Sequence, residues 1–211
     1  EYTDPNPFKE MHIAHLMSND IGESISRLFA WNGAEVRRAC NQGDKGMHVA
    51  RAVAHKIKEG EEWKNAQDVA LSYAEGSKLY DTDEAFRALV VEINKKIYDE
   101  SEKKANEAYM LGRKLTLEYF ETIYKKLGTK FDYYFFEATS GEFGIAIVGK
   151  NTPQIFEESE GAIVYLGEKR DPALHTRVFV NRDGIPTYEA KELGLAKIKY
   201  DTYPYDKSIV V

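Results

Sequence analysis

"EYTDPNPFKEMHIAHLMSNDIGESISRLFAWNGAEVRRAC" (residues 1–40) is the stretch on which the fold turns. "EYT" (1–3) is short and β-prone, and Pro5 and Pro7 stop it, because proline offers no ladder donor and biases its predecessor to extended geometry. From His15 onward Ile21, Ile25, Leu28 and Phe29 fall at i, i+4, i+7 and i+8, the apolar stripe of an amphipathic helix that Asn32-Gly33 ends. "AEVRRAC" (34–40) then reads as a strand. Strand, turn, helix and strand in that order open a βαβ unit with parallel strands.

Downstream the alternation is interrupted. "NQGDKG" (41–46) is a glycine-bearing loop at the next expected strand-to-helix junction, but helical patterns follow one another over 46–58, 62–75, 83–103 and 105–127, the last closed by Gly128. The expected division is residues 1–46 as the first part of an α/β domain, 47–128 as a helical insertion, and 129–211 as the second part. Within that second part "KFDYYFFE" (130–137) reads as a central strand, followed by a short helix around 142–158. "AIVYL" (162–166) and "TRVFV" (176–180) form a small antiparallel excursion, "NRDG" (181–184) turns into a helix at about 187–199, and "KSIVV" (207–211) is a strand. Beginning and ending on apolar strands, the chain is expected to be a fragment truncated at its C-terminal end, with an apolar edge at Ile209 to Val211.

Composition bounds the function. A chain of 211 residues with 43% hydrophobic content buries a sizeable core, and no run of eighteen apolar residues or signal-peptide pattern is present, so a cytoplasmic location with no membrane contact is expected. The single Cys40 has no CxxC or Cys/His cluster around it, which argues against a structural metal and for a small buried residue. A net charge of −6 argues against coating nucleic acid by charge alone.

His12 and His15 stand three residues apart where the first helix opens. A helix N-terminus after a strand suits phosphate, and histidines on one side of its first turn can donate hydrogen bonds to phosphoryl oxygens whose charge grows in a transition state. On residue types alone the alternative is a structural role at a turn, and Lys9 is equally readable as a surface lysine.

The surroundings add to this. "HIAH" (12–15) resembles the HIGH signature of class I aminoacyl-tRNA synthetases, and "EYTDPNPFKEMHIAHL" (1–16) is similar to the arginyl-tRNA synthetase pattern in which Pro-Asn-Pro and a lysine precede the two histidines. "NQGDKG" resembles that family's GDxG loop, "KFDYYFFE" its FD strand ending in glutamate, and "RVFVNRDGIPTYEAKELGLA" (177–196) its segment with DGxPTY, so the likeness runs over nearly the whole chain. It implies a Rossmann-like parallel sheet of the HIGH type carrying the helical insertion. It also implies an arginine–tRNA ligase, which activates L-arginine with ATP to arginyl-adenylate and transfers it to tRNA(Arg), with Mg2+ accompanying ATP and the full-length protein a monomer. By the same resemblance His12, Ala14 and His15 bind ATP, and Lys9, His12 and His15 serve the chemistry, Lys9 standing in for a KMSKS lysine.

A guanidinium is planar and carries five donors, so a site selective for it needs carboxylates and a flat surface. The resemblance places Asn6, Glu137, Tyr188 and Glu192 around arginine, and the i, i+4 spacing of Tyr188 and Glu192 puts them on one helix face. Taken singly, Glu137 could cap a turn, Tyr188 could pack, and Glu192 could pair with Lys191 or Lys197. The sequence departs from the family at Ala14, which replaces the glycine of HIGH; at Glu192, where aspartate is usual; at Cys40-Asn41, where the family has Asn-Tyr; and at Met17. The regions that mostly contact tRNA, the KMSKS-like loop and the anticodon-binding domain are absent from these residues. Two other readings remain open: a non-catalytic arginine- or nucleotide-binding module derived from a synthetase, and another HIGH-type nucleotidyltransferase.

Overall fold

The computed structural model describes residues 1–60 and 62–211 and divides them into two units, one of residues 1–134 with 209–211 and one of residues 135–208. The first unit contains α1 (Ile13–Trp31), β1 (Ala39–Gln42), α2 (Met47–Glu59), α3 (Ala66–Thr82), α4 (Glu84–Asp99) and α5 (Lys103–Leu127). It ends in the start of β2 (Tyr133–Phe136), which pairs in parallel with β1.

Capping explains where the helices begin and end. Asn65 and Asp68 exchange side-chain-to-backbone bonds in a capping box that starts α3, and the Asp83 and Glu102 carboxylates accept from the N–H groups of Phe86 and Ala105 to start α4 and α5. α2 and α5 stop at Gly60 and Gly128, both left-handed at φ +69° and +70°. The expected 62–75 helix therefore starts later and runs further, and the 83–103 helix stops at Asp99, where Glu100 adopts φ +56°. Val53, Val69, Phe86, Val90, Ile93 and Ile97 of α2, α3 and α4 form the middle of the core that these helices enclose.

Three strand expectations in this unit are corrected. Only Ala39 and Cys40 of "AEVRRAC" enter β1. Residues 1–3 form no regular strand: the Tyr2 N–H donates to Ala39 O at 3.2 Å, but Thr3 and Asp4 turn away at φ +74° and +42°. Residues 207–211 form none either, although the Val211 N–H donates to Glu1 O at 3.0 Å. Ile209, Val210 and Val211 are exposed, Val210 to 62%, but as irregular chain and not as a strand edge.

The face of α1 is also reversed from expectation. Ile21, Leu28 and Phe29 are exposed, and the helix instead buries Asn19, Gly22, Glu23 and Ser26. Specific polar partners make this possible. The Glu23 carboxylate accepts from Tyr2 Oη at 2.7 Å, Arg38 Nε at 2.8 Å and Arg27 Nε at 2.9 Å. Burial works against its ionisation, but these three bonds outweigh that and hold it below the usual carboxylate range. Asn19 bridges Thr3 and Thr129 through its amide at 2.9 and 2.8 Å. Gly22 presses on Tyr2, since a Cβ there would lie 2.2 Å from the ring's Cγ.

The second unit carries the end of β2 into α6 (Glu137–Lys150), then β3 (Glu157–Ser159), β4 (Ala162–Leu166), a 3-10 turn at Gly167–Lys169, β5 (Thr176–Val180) and α7 (Tyr188–Thr202). β3, β4 and β5 are an antiparallel sheet in which Ser159 opposes Ala162 and Val164 opposes Val178. The expected helix at 142–158 thus divides into α6 and β3: the Asn151 amide turns back to Ile147 O at 2.7 Å, and Pro153, which has no N–H to donate, does not continue the helix. α6 and α7 meet through small residues. A Cβ on Gly144 would stand 1.9 Å from Ala190 O, and one on Gly194 would stand 1.9 Å from Ser140 O. Backbones at this separation admit no side chain on either glycine.

Candidate functional site

The predicted phosphate ligands cluster in the first unit, at the head of α1. His12 is its N-cap in extended geometry, and the His12 and His15 rings lie 3.9 Å apart between centroids. The His12 backbone N–H donates to His15 Nδ1 at 3.1 Å, so Nδ1 is the acceptor and the neutral ring carries its hydrogen on Nε2. Burial, and then the nearby His12 and Lys9, lower the His15 pKa to about 4. The result is a neutral donor of fixed tautomer, able to give its Nε2–H to an anionic oxygen. Ala14 is exposed in the first turn and does not occupy the positive-φ region, so the local backbone does not require the glycine of HIGH.

The loop leading into this helix is held from several sides. Thr3, Asp4 and Phe8 all have positive φ, at +74°, +42° and +71°, which for non-glycine residues costs energy that other contacts must offset. The Thr3 N–H donates to Ser18 Oγ at 2.9 Å, Asp4 Oδ1 accepts from the Asn41 N–H at 2.7 Å, and the Phe8 N–H donates to Thr116 Oγ1 at 3.3 Å. Between Asp4 and Phe8, Asn6 closes a turn in which its carbonyl accepts from the Lys9 N–H at 3.3 Å. The Lys9 ammonium sits 5.0 Å from the centroid of the Tyr73 ring.

The predicted carboxylates lie in the second unit. Glu137 opens α6 at the end of β2, while Tyr188 opens α7, 66% exposed, with Glu192 one turn further on the same face. Glu137 is not an open carboxylate: Lys191 Nζ approaches its Oε2 at 2.6 Å, with both side chains largely buried. Lys191 pairs with Glu137 and Lys197 with Asp201. The missed contact crosses from α6 to α7, and no spacing rule joins residues 54 apart. The contact with Lys191 fixes the orientation of the carboxylate through Oε2.

Cys40 is fully buried, as its surroundings suggested, and burial pushes its thiol up, away from thiolate chemistry. Among the described residues no group of three His, Cys, Asp or Glu is placed to hold a metal ion, and no helix is long and apolar enough to cross a membrane.

Comparison with known proteins covers the same span. Residues 1–211 match the family profile described as tRNA synthetases class I (R), catalytic domain. The arginine–tRNA ligase of Clostridium acetobutylicum is 28% identical over 221 residues, covering 100% of this chain and 38% of that relative. The arginine–tRNA ligase of Yersinia pestis (strain Pestoides F) is 28% identical over 222 residues, covering 98% of this chain and 37% of that relative. Among solved structures, arginyl-tRNA synthetase from Plasmodium falciparum aligns with a TM-score of 0.67 at 20% identity over 94% of this chain and 34% of its own. Thermus thermophilus arginyl-tRNA synthetase aligns with a TM-score of 0.59 at 21% identity over 92% and 34%. These two likenesses show the fold. The chain spans less than two-fifths of the length of the curated relatives it matches.

Proposed function

The chain belongs to the family of class I tRNA synthetase catalytic domains specific for arginine, and from that premise we propose that it is the part of an arginine–tRNA ligase that activates L-arginine. In the reaction the arginine carboxylate attacks the α-phosphate of ATP and pyrophosphate leaves. Arginyl-adenylate then passes its acyl group to the end of tRNA(Arg). The observation that carries this reading is the His12–His15 pair at the head of α1, with His15 neutral and its Nε2–H directed by the bond at Nδ1.

The residues divide the work between binding and charge. His12, His15 and Lys9 hold the phosphates as negative charge shifts toward the leaving pyrophosphate, a task of position and electrostatics that needs no covalent step on the protein. Adenine lies over the first turn at Ala14. Mg2+ enters with ATP rather than on a protein site of its own. Asn6 addresses the α-groups of arginine, Glu137 and Glu192 take the guanidinium, and the exposed Tyr188 ring supplies the flat wall. Residues 47–128 act as an insertion beside the site that helps guide the acceptor end of the tRNA, the remaining tRNA contacts belong to other parts of the protein, and the working protein is a cytoplasmic monomer.

Calorimetric titration of the natural protein that carries this chain tests the substrate assignment. Arginine is expected to bind at least about tenfold more tightly than lysine or citrulline, because carboxylates placed for a guanidinium are left unmatched by either analogue. Glu192→Gln should narrow that margin while leaving ATP binding unchanged. Equal binding of arginine and citrulline would remove the carboxylates from the assignment.

A further inference from the structure

Lys9 carries a phosphate role under the reading above, yet it stands in a loop of strained backbone, and something must fix where its long side chain points. Three contacts in the first unit, Phe8 with Trp63, Trp63 with Ser72 and Tyr73 with Lys9, close a circuit around it through the chain neighbours Phe8–Lys9 and Ser72–Tyr73. Phe8, next to Lys9, is fully buried in the helical core, meeting Trp63 edge-on at 6.0 Å and stacking on Tyr109 at 6.3 Å between centroids. Gly112 of α5 leaves the space for it: a Cβ there would lie 2.4 Å from Phe8 Cε1 and 2.7 Å from Trp63 Cζ3. Trp63 in turn donates its Nε1–H to Ser72 Oγ at 2.7 Å. Ser72 adjoins Tyr73 on α3, and the Tyr73 ring receives the Lys9 ammonium at 5.0 Å.

We propose that Tyr73 is a positioning residue for Lys9: its ring, set by the Phe8–Trp63–Ser72 circuit, holds the ammonium in place for the triphosphate of ATP. Phe8 fixes the backbone on one side of Lys9 and Tyr73 fixes the tip of its side chain. An ammonium over an aromatic face keeps its charge and much of its hydration, so the contact orients the lysine without neutralising it. A lysine confined near its working position loses less entropy when ATP arrives than one sweeping through solvent. The helical segment thereby serves the adenylation step itself, apart from any contact with tRNA. The proposal rests on the assignment of Lys9 to the phosphates.

The test uses the natural protein that carries this chain and two readouts. In NMR spectra the Lys9 ε-methylene signals, assigned by their loss in Lys9→Arg, should be shifted upfield by the Tyr73 ring. The shift should persist in Tyr73→Phe and vanish in Tyr73→Leu. In arginine-dependent ATP–pyrophosphate exchange, Tyr73→Leu should lower kcat by about tenfold with the KM for arginine changed by less than about twofold, and Tyr73→Phe should remain within about twofold of the parent. Adding Tyr73→Leu to Lys9→Ala should cause no further loss. An unshifted Lys9 signal, an undiminished kcat in Tyr73→Leu, or losses that multiply in the double variant would each overturn the proposal. A shifted Lys9 signal with unchanged kcat in Lys9→Ala would instead overturn the phosphate assignment and the proposal with it.

Discussion

Replacing His15 by alanine is expected to slow arginine-dependent ATP–pyrophosphate exchange by about 10²- to 10³-fold, the loss typical of removing one preorganised donor from a developing oxyanion. The expectation follows from the bond between the His12 N–H and His15 Nδ1, which fixes the ring and leaves Nε2–H as the outward donor. Lysine or arginine at position 15 would bring charge but not this geometry, so neither should restore the rate. A second consequence is carried by pH. Burial, and then the nearby His12 and Lys9, hold the His15 pKa at about 4, below the 6.5 of a free histidine, so the unfolded chain binds the extra proton first as pH falls. The stability this group contributes is complete above about pH 6.5 and is lost as pH drops toward 4. Denaturant titrations at pH 7 and pH 5 should therefore show a larger acid-side loss in the parent than in His15→Ala. An equal loss in both would mean that His15 is not held neutral.

Gly194→Ala should destabilise the second unit by about 3 kcal/mol or more, in the upper range for overpacking, because the added methyl meets backbone rather than a side chain that can rotate away. Its carbon would fall 1.9 Å from Ser140 O and 2.6 Å from the Gly144 N, so α6 and α7 must separate to admit it. Glu137 stands at the start of α6 and its partner Lys191 on α7, so the same separation should break their ion pair and weaken arginine binding. Gly149→Ala, on the same α6 but with nothing within 4 Å of the new carbon, is the control and should be neutral or stabilising by up to about 1 kcal/mol. Thermal unfolding of the two variants beside the parent measures both; equal melting temperatures for Gly194→Ala and Gly149→Ala would contradict the close packing of α6 on α7.

That helix pair also shows where the sequence is hard to read. α2, α4 and α5 announce themselves by apolar residues at helical spacing and by their end signals, such as Asp83 before α4 and Gly128 after α5. α6 has no such stripe, because its contact face is Ser140, Gly141 and Gly144, chosen for closeness and not for hydrophobicity. α1 misleads for a related reason. Its apolar stripe is plain in the sequence, but the face it turns inward is polar, and only the placement of Tyr2, Thr3, Arg38 and Thr129 makes Glu23 and Asn19 affordable there. The place of the histidine pair at the head of a helix, of Glu137 at a strand end and of Tyr188 and Glu192 on one helix could be read from motif and spacing. Lys191 on Glu137 and Tyr73 under Lys9 could not, since each contact joins residues more than fifty positions apart and depends on how helices meet.

The central claim, that these residues activate arginine, is tested most directly by ATP–pyrophosphate exchange on the natural protein that carries this chain, with tRNA(Arg) present. Exchange that depends on arginine, is not supported by lysine or citrulline, and collapses in His15→Ala is the predicted result. A folded protein that binds arginine yet exchanges no pyrophosphate would contradict the account and leave an arginine-binding module without adenylation chemistry.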